Sequence, residues 1–337
     1  MQLGMIGLGR MGANLVRRLL REGHRCVVHD RDASAVADLT EHGATPTADV
    51  AGLVRALDSP RVLWVMVPAG AVEDVLDELV ELVEPDDVIV DGGNSYYRDD
   101  LRRAERFGAK GVHYVDCGTS GGVWGLERGY CLMLGGESEV IERLDPIWRS
   151  LAPSGADALS TPGRERTSGT AHLGYLHCGP VGAGHFVKMV HNGVEYGMMA
   201  ALAEGLSILR HADAGLVDRA IDAETAPMRE PWFYRYGLDV AEIAEVWRHG
   251  SVVSSWLLDL AAEALAASPD LEGYGGVVAD SGEGRWTMIA AIDEGVPASV
   301  IGAALHARFE SKGSGRFAAQ VLSALRSGFG GHHESGS

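Results

Sequence analysis

The sequence predicts an α/β Rossmann-type N-terminal domain over residues 1–180, an all-α C-terminal domain over residues 181–330, and a tail at 331–337. Three observations carry this. Short apolar runs alternate with helical patterns through the first half, which implies a doubly wound, largely parallel sheet. A glycine-rich turn lies between the first strand and the first helix. From Gly182 onward the patterns are mostly helical.

The first strand is Leu3-Gly4-Met5-Ile6-Gly7. It leads into Gly7-Leu8-Gly9-Arg10-Met11-Gly12 and a helical run over 13–21. This is G-x-G-x-x-G in the strand-to-helix setting that gives the motif meaning. Gly7 permits the tight turn, Gly9 lets the backbone approach a pyrophosphate, and Gly12 lets helix and strand pack closely. Phosphates would sit at the helix N-terminus, where N–H groups and the dipole favour negative charge. Leu8, Arg10 and Met11 complete this expected dinucleotide loop. The second strand, 25–29, ends at Asp30, near the spacing at which a carboxylate binds the adenosine ribose 2′-OH. Such an acid repels a 2′-phosphate, which favours NAD over NADP. Arg31 follows, could stack on adenine or bind a phosphate, and leaves NADP open. Asp30 could instead cap the helix that begins near Ser34.

Further strands are expected at 62–67, 88–91, 112–115 and 131–134. Helices are expected at 33–41, 50–56, 71–83, 99–107 and 139–150. Ligands of such sheets bind beyond the carboxyl ends of the strands. Val67-Pro68-Ala69-Gly70, Asp91-Gly92-Gly93-Asn94-Ser95 and Asp116-Cys117-Gly118-Thr119-Ser120-Gly121-Gly122 fall there, and Val67, Pro68, Ala69 and Asn94 are candidates for cofactor contact. Residues 153–174, rich in Gly, Ser, Thr and Pro, read as a loop or mobile linker before a last strand at 175–178. Helices follow at 186–211, 240–250, 255–267, 285–294, 296–311 and 317–327, and the segment 328–337 is too glycine-rich for a helix.

One helical face stands out. Lys188, His191, Asn192, Glu195 and Tyr196 fall at i, i+3, i+4, i+7 and i+8 of a proline-free run. A soluble helix normally puts its apolar stripe at that spacing. Here the stripe is a base, an imidazole, an amide, a carboxylate and a phenol, while Met189, Val190, Val194 and Met198 lie on other faces. A merely solvated face is mostly Lys, Glu and Arg, so this set points to a site. A structural ion pair between Lys188 and Glu195 is the competing reading.

Composition narrows the class. The chain has 337 residues, a length that suits two domains, and a hydrophobic fraction of 46% that suits ordinary cores. A net charge of −18 argues against nucleic acid, which needs a basic surface. No apolar run is long enough to span a membrane. Met1 runs straight into the first strand, so no secretory leader is expected. Cys26, Cys117, Cys131 and Cys178 are scattered without C-x-x-C, as in a reducing compartment, and the cytoplasm is the expected location.

These residues carry a resemblance. Gly7-Leu8-Gly9-Arg10-Met11-Gly12-Ala13-Asn14, Asp91-Gly92-Gly93-Asn94-Ser95, Ser120-Gly121-Gly122 and the run from Gly184 to Tyr196 make the chain similar to the decarboxylating 6-phosphogluconate dehydrogenases, in their short, NAD-preferring form. The wider β-hydroxyacid dehydrogenase superfamily shares the glycine fingerprint, a Ser-Gly-Gly loop and a Lys with Asn four residues on. It does not typically carry the adjacent His with Glu and Tyr one turn later.

The resemblance implies oxidation of 6-phosphogluconate at C3 with hydride passing to the nicotinamide, then loss of CO2 and reprotonation at C1 to give ribulose 5-phosphate. It implies Lys188 as base at the C3 hydroxyl, and Glu195 as the C1 acid, whose proton burial or a nearby negative charge would help to hold. Asn192 and His191 would meet substrate hydroxyls and carboxylate. Asn94 would touch both the nicotinamide ribose and the sugar acid. Backbone N–H groups of Ser120, Gly121 and Gly122 would form a nest for the carboxylate. Tyr196, Arg285, Thr287 and Arg308 would hold the phosphate. Arg285 stands where the family commonly has lysine, keeping the charge and adding a planar fork. No metal is needed if an ammonium polarises the C3 carbonyl. His332, in Phe329-Gly330-Gly331-His332, resembles the ending of short forms and could reach a partner's site. A homodimer or homotetramer is expected. Two other readings stay open: a dehydrogenase of a small unphosphorylated 3-hydroxy acid, and a non-enzymatic dinucleotide sensor.

Overall fold

The computed structural model describes residues 1–153, 161, 169–217 and 226–330. The chain forms two compact units, Met1–His191 and Asn192–Ser337.

In the first unit, β1 (Gln2–Ile6), α1 (Arg10–Arg21), β2 (Arg25–His29), α2 (Ala33–Glu41), β3 (Thr45–Pro46), α3 (Val50–Arg55) and β4 (Val62–Val65) come first. Then come α4 (Val72–Leu79), β5 (Val88–Asp91), α5 (Tyr97–Gly108), β6 (His113–Ser120), α6 (Gly125–Arg128) and β7 (Cys131–Gly135). The unit continues with α7 (Ser138–Arg143), α8 (Asp145–Leu151), β8 (Tyr175–Gly179) and the start of α9 (Ala183–Arg210). The strands form one sheet in the order β3-β2-β1-β4-β5-β6-β7-β8. Every pairing is parallel except β6 with β7.

Alternation along the strands feeds two cores. Leu3, Met5, Cys26, Val28, Val62, Trp64, Val88 and Val90 pack on one face with Leu15, Val16 and Leu19 of α1 and Trp148 of α8. Ile6, Val27, Leu63, Val65 and Ile89 pack on the other with Leu53 of α3, Leu76 and Leu79 of α4, and Phe107 of α5. Each fully buried Leu or Val of this kind stabilises by roughly 1.5–3 kcal/mol.

Several expected boundaries are corrected. Residues 116–120, read as a loop, are strand, because their backbone pairs with β7 from Asp116↔Gly135 to Ser120↔Cys131. The expected helix over 139–150 is two helices, α7 and α8. Pro146 in the first turn of α8 has no N–H to continue the ladder from α7. The expected helix over 71–83 is shorter, with a 3-10 turn at Ala69–Ala71 ahead of α4. Strand β3 was not expected; two residues carry no periodicity.

The second unit takes the rest of α9, then α10 (Val240–Arg248), α11 (Trp256–Ala267), α12 (Glu283–Glu294), α13 (Ser299–Ser311) and α14 (Arg316–Gly330). Asp239 caps α10 and Ser255 caps α11, each accepting a first-turn N–H. Val240, Ala244, Leu258, Ala262 and Leu265 form a core with Leu202, Leu206 and Leu209 of α9. Tyr196, Ala304 and Leu305 form a smaller one with Met288 and Phe309. Helix α14 runs three residues past its expected end at 327, through Gly328 and Gly330; glycine weakens a helix without forbidding it. None of its side chains is buried. His332 and the rest of 331–337 lie outside the described residues, as does most of 153–168. No helix among the described residues is long and apolar enough to cross a membrane.

Candidate active site

The glycine loop is shaped by collisions that any side chain would cause. Gly7 has φ +98°, and a Cβ there would lie 2.4 Å from the Met66 carbonyl oxygen. A Cβ on Gly12 would lie 2.0 Å from the Gly7 oxygen. Gly9 differs: a Cβ there meets nothing within 4 Å, so chain packing does not require glycine and the space beside it is open. Leu8 is buried and Met11 packs against the core, while Gly9 and Arg10 are exposed. The first turn of α1 carries no acid and no side-chain cap. A pyrophosphate fits this arrangement of open space, backbone N–H groups and helix dipole.

Asp30 closes the loop from the end of β2. Its Oδ2 accepts the Leu8 N–H at 2.5 Å and its Oδ1 accepts the Asp32 N–H at 2.8 Å. The cap of α2 is Asp32, not Asp30, so the capping alternative for Asp30 is withdrawn. Arg31 is exposed. The segment after β4 adjoins the same loop: Val67 is half-buried, and Pro68 and Ala69 are exposed. A Cβ on Gly93 would lie 3.1 Å from the Val67 oxygen, so the Asn94 turn lies next to it.

Lys188 Nζ donates to Asn94 Oδ1 at 2.7 Å, and Ser120 Oγ lies 3.3 Å from His191 Nε2. Thus the first turns of α9 meet the carboxyl ends of β5 and β6. Gly121 (φ +131°) and Gly122 (φ +56°) turn the chain away just after Ser120. Lys188 comes close because Gly118 has no side chain: a Cβ there would lie 2.4 Å from Lys188 Cβ.

A buried polar network holds both ends of that contact. Asp116 Oδ1 accepts the Gly182 N–H at 2.6 Å and Oδ2 accepts the His185 N–H at 2.8 Å, pinning the start of α9. His185 Nδ1 lies 2.7 Å from Asp100 Oδ2. Tyr114 OH donates toward Asp91 Oδ2 (3.1 Å) and Asp100 Oδ1 (3.2 Å). Asp91 also accepts from Gly93 N–H, Ser95 Oγ and Arg103 Nη1, which fixes the turn that carries Asn94. Burial alone would lower the His185 pKa, but Asp100, with Asp91 and Asp116 behind it, lifts it to about 9. Burial pushes Asp100 up to about 6, against the pull of His185. Asp91, Asp100 and His185 offer ligand atoms within 4.8 Å of one another. The Arg103 guanidinium, 2.9 Å from Asp91 Oδ2 and 3.7 Å from Asp100 Oδ1, already supplies a cation there.

In the second unit, the first turn of α12 docks on the Asn192–Tyr196 turn of α9. Asn192 Nδ2 donates to Glu283 Oε1 at 2.6 Å. A Cβ on Gly193 would lie 2.8 Å from Thr287 Cγ2, and one on Gly284 would lie 2.6 Å from Tyr196 Cε2. The Arg308 guanidinium lies 3.5 Å from the centre of the Tyr196 ring, and its Nη1 donates to the Ala279 oxygen at 2.5 Å. Tyr196 OH is buried with no hydrogen-bond partner among the described residues. Arg285 Nε donates to Asp280 Oδ2 at 2.7 Å and its guanidinium covers the Phe309 ring. Burial would raise Asp280, but Arg285 and the Gly282 N–H hold it below its usual value. Thr287 Oγ1 donates back to the Glu283 carbonyl at 2.8 Å. Glu195 is half-buried.

The structure therefore brings Lys188, Asn94, Ser120 and His191 together in one unit, and Asn192, Tyr196, Thr287 and Arg308 in the other. Arg285 is engaged with an acid. Sequence reasoning gave no role to Asp100, Arg103, Asp116, Gly118 or Glu283. Asp116, an acid directly after an apolar run, and Glu283, between two glycines, were the available signals.

Comparison with known proteins shows the family. Residues 2–159 match the family described as the NAD binding domain of 6-phosphogluconate dehydrogenase, and residues 184–222 match its C-terminal domain. A Haloferax volcanii protein named as an NAD(+)-dependent, decarboxylating 6-phosphogluconate dehydrogenase is 40% identical over 334 residues, 98% of each chain. The solved Plasmodium falciparum 6-phosphogluconate dehydrogenase matches with a TM-score of 0.74 at 26% identity, over 98% of this chain and 65% of that one. The chain thus spans about two thirds of that longer protein. A Mycobacterium tuberculosis 3-hydroxyisobutyrate dehydrogenase matches over 94% of each chain with a TM-score of 0.65, but at 18% identity it shows the fold alone. On the strength of the full-length relative, this chain belongs to the 6-phosphogluconate dehydrogenase family.

Proposed function

We propose that the protein oxidises and decarboxylates 6-phosphogluconate to ribulose 5-phosphate and CO2, with NAD as the preferred hydride acceptor. The observation that carries this reading is the 2.7 Å contact of Lys188 with Asn94 at the carboxyl edge of the sheet, on a helix that goes on to present His191, Asn192 and Glu195. NAD, held by the Gly7–Gly12 loop and Asp30, supplies the hydride acceptor. The acid at Asp30 supports NAD over NADP.

Lys188, as the neutral amine, takes the C3 hydroxyl proton as C3 is oxidised. The ammonium so formed then hydrogen-bonds the C3 carbonyl oxygen and draws electron density from the breaking C1–C2 bond as CO2 leaves. Asn94 holds the amine in place by accepting one of its hydrogens. Glu195 delivers a proton to the carbon that lost CO2, giving the ketose phosphate. His191, oriented by Ser120, and Asn192 meet the hydroxyls and the carboxylate, with the Ser120–Gly122 backbone as a nest. Arg308 and the unpartnered Tyr196 hydroxyl support a phosphate site; Arg285 and Thr287 adjoin it, with Arg285 exchanging Asp280 for phosphate. His332 is kept as a candidate donor to a partner's site. Helix α14, with no buried side chain and an exposed apolar stripe, supports a homodimer or homotetramer. The four free cysteines accord with a cytoplasmic location.

Initial rates on 6-phosphogluconate with NAD and with NADP test this directly. Equal yields of NADH and CO2 are expected, with higher kcat/KM for NAD. Protein that binds NAD yet forms neither product ends the proposal.

A further inference from the structure

Glu283 opens α12 and is 3% exposed. Its Oε1 accepts Asn192 Nδ2 at 2.6 Å and its Oε2 accepts the Ser281 hydroxyl at 2.7 Å. Two donors, at a helix N-terminus whose dipole favours negative charge, suit the ionised carboxylate. An ionised carboxylate only accepts. It therefore selects one of the two ways an amide can face: the NH2 end of Asn192 must turn toward Glu283. The backbone that carries Glu283 is held against α9, because Thr287 packs into the space at Gly193 and Tyr196 into the space at Gly284. A neutral amide at position 283 would make no such choice, since it presents donor and acceptor in nearly the same shape.

We propose that Glu283 is a positioning residue that locks the Asn192 amide in one orientation and so makes Asn192 a reader of a substrate hydroxyl. The proposal rests on the functional reading above and adds a basis for selectivity to it. With Nδ2 held by Glu283, the amide oxygen faces the opposite side. There it accepts from a hydroxyl and disfavours a carboxylate or phosphate oxygen. Asn192 thus helps to fix which end of the sugar acid lies at Lys188.

The test uses Glu283→Gln, which is nearly isosteric, and a series of 6-phosphogluconate analogues each lacking one hydroxyl. Wild-type protein is expected to reject one analogue strongly. In Glu283→Gln the preference for 6-phosphogluconate over that analogue, taken as a ratio of kcat/KM, should fall by about 10- to 100-fold. A merely structural role would lower both rates together and leave the ratio unchanged. Introduced into Asn192→Ala, Glu283→Gln should change the ratio no further, because the amide it orients is gone. An unchanged ratio in Glu283→Gln, or a full additional loss in the double variant, overturns the proposal. If circular dichroism shows that Glu283→Gln does not fold, Glu283→Asp takes its place. That variant draws the carboxylate back from Asn192 Nδ2 by about one carbon–carbon bond, beyond hydrogen-bond range, and should lower the same ratio; an unchanged ratio there is equally fatal. Inactive wild-type protein would defeat the functional reading itself, a result distinct from active protein with an unaltered ratio.

Discussion

Replacing Gly118 by alanine tests whether the approach of β6 to α9 sets the position of the Lys188 amine, proposed above as the base. The new Cβ would lie 2.4 Å from Lys188 Cβ and 2.9 Å from the Gly184 oxygen, whereas ordinary contact begins at 3.4 Å. The Lys188 stem must therefore retreat by about 1 Å. Helix α9 cannot absorb this by moving as a body, because Asp116 holds the Gly182 and His185 N–H groups. The 2.7 Å bond from Lys188 to Asn94 then stretches toward about 3.7 Å, beyond hydrogen-bond range. A displacement of that size at a reacting group costs about 100-fold in rate. Overpacking should cost about 1–3 kcal/mol of stability, or roughly 2–12 °C in Tm. The assay is NADH formation at saturating substrate, with NAD binding measured separately by calorimetry. A drop in kcat near 100-fold with NAD affinity within threefold is the expected result. A folded Gly118→Ala protein with wild-type kcat would refute the claim that this contact positions Lys188.

Three further outcomes are expected. Lys188→Met should abolish turnover and leave NAD binding nearly intact, and a variant that keeps most of its rate would remove lysine from the mechanism. Asp30→Ala should weaken NAD more than NADP in direct titrations, an unchanged ratio meaning that another group reads the ribose. The third concerns pH. His185 holds its proton up to about pH 9 when folded, against 6.5 as its ordinary value. Its contribution to stability is thus full below pH 6.5 and is lost as pH rises through 9. The Tm difference between wild type and His185→Gln should shrink over that window, and a flat difference would show that the imidazolium is not what Asp100 stabilises.

What the sequence made legible was local. The glycine fingerprint is contiguous, and the α9 face is set by helical period alone, so both could be read without knowing what they touch. Strands β2 and β5 were read to the residue, because apolar runs bounded by turns need no partner to be recognised. The misses are of another kind. Residues 116–120 look like a loop until β7 pairs with them. Glu283 meets Asn192 across 91 residues of sequence, and Asp100 meets His185 across 85. Nothing in the spacing of those residues announces the contact; it exists only after the chain has folded. The importance of Gly118 is likewise invisible until Lys188 lies against it.

Helix α14 leaves Phe317 77% and Phe329 79% exposed, and none of its side chains is buried. Water is a poor neighbour for such rings, and a second copy covering them, as proposed above, would contribute free energy that grows with the logarithm of protein concentration. In the homo-oligomer proposed above, dilution would act as a mild denaturant, and a melting temperature would have meaning only with the molarity stated beside it.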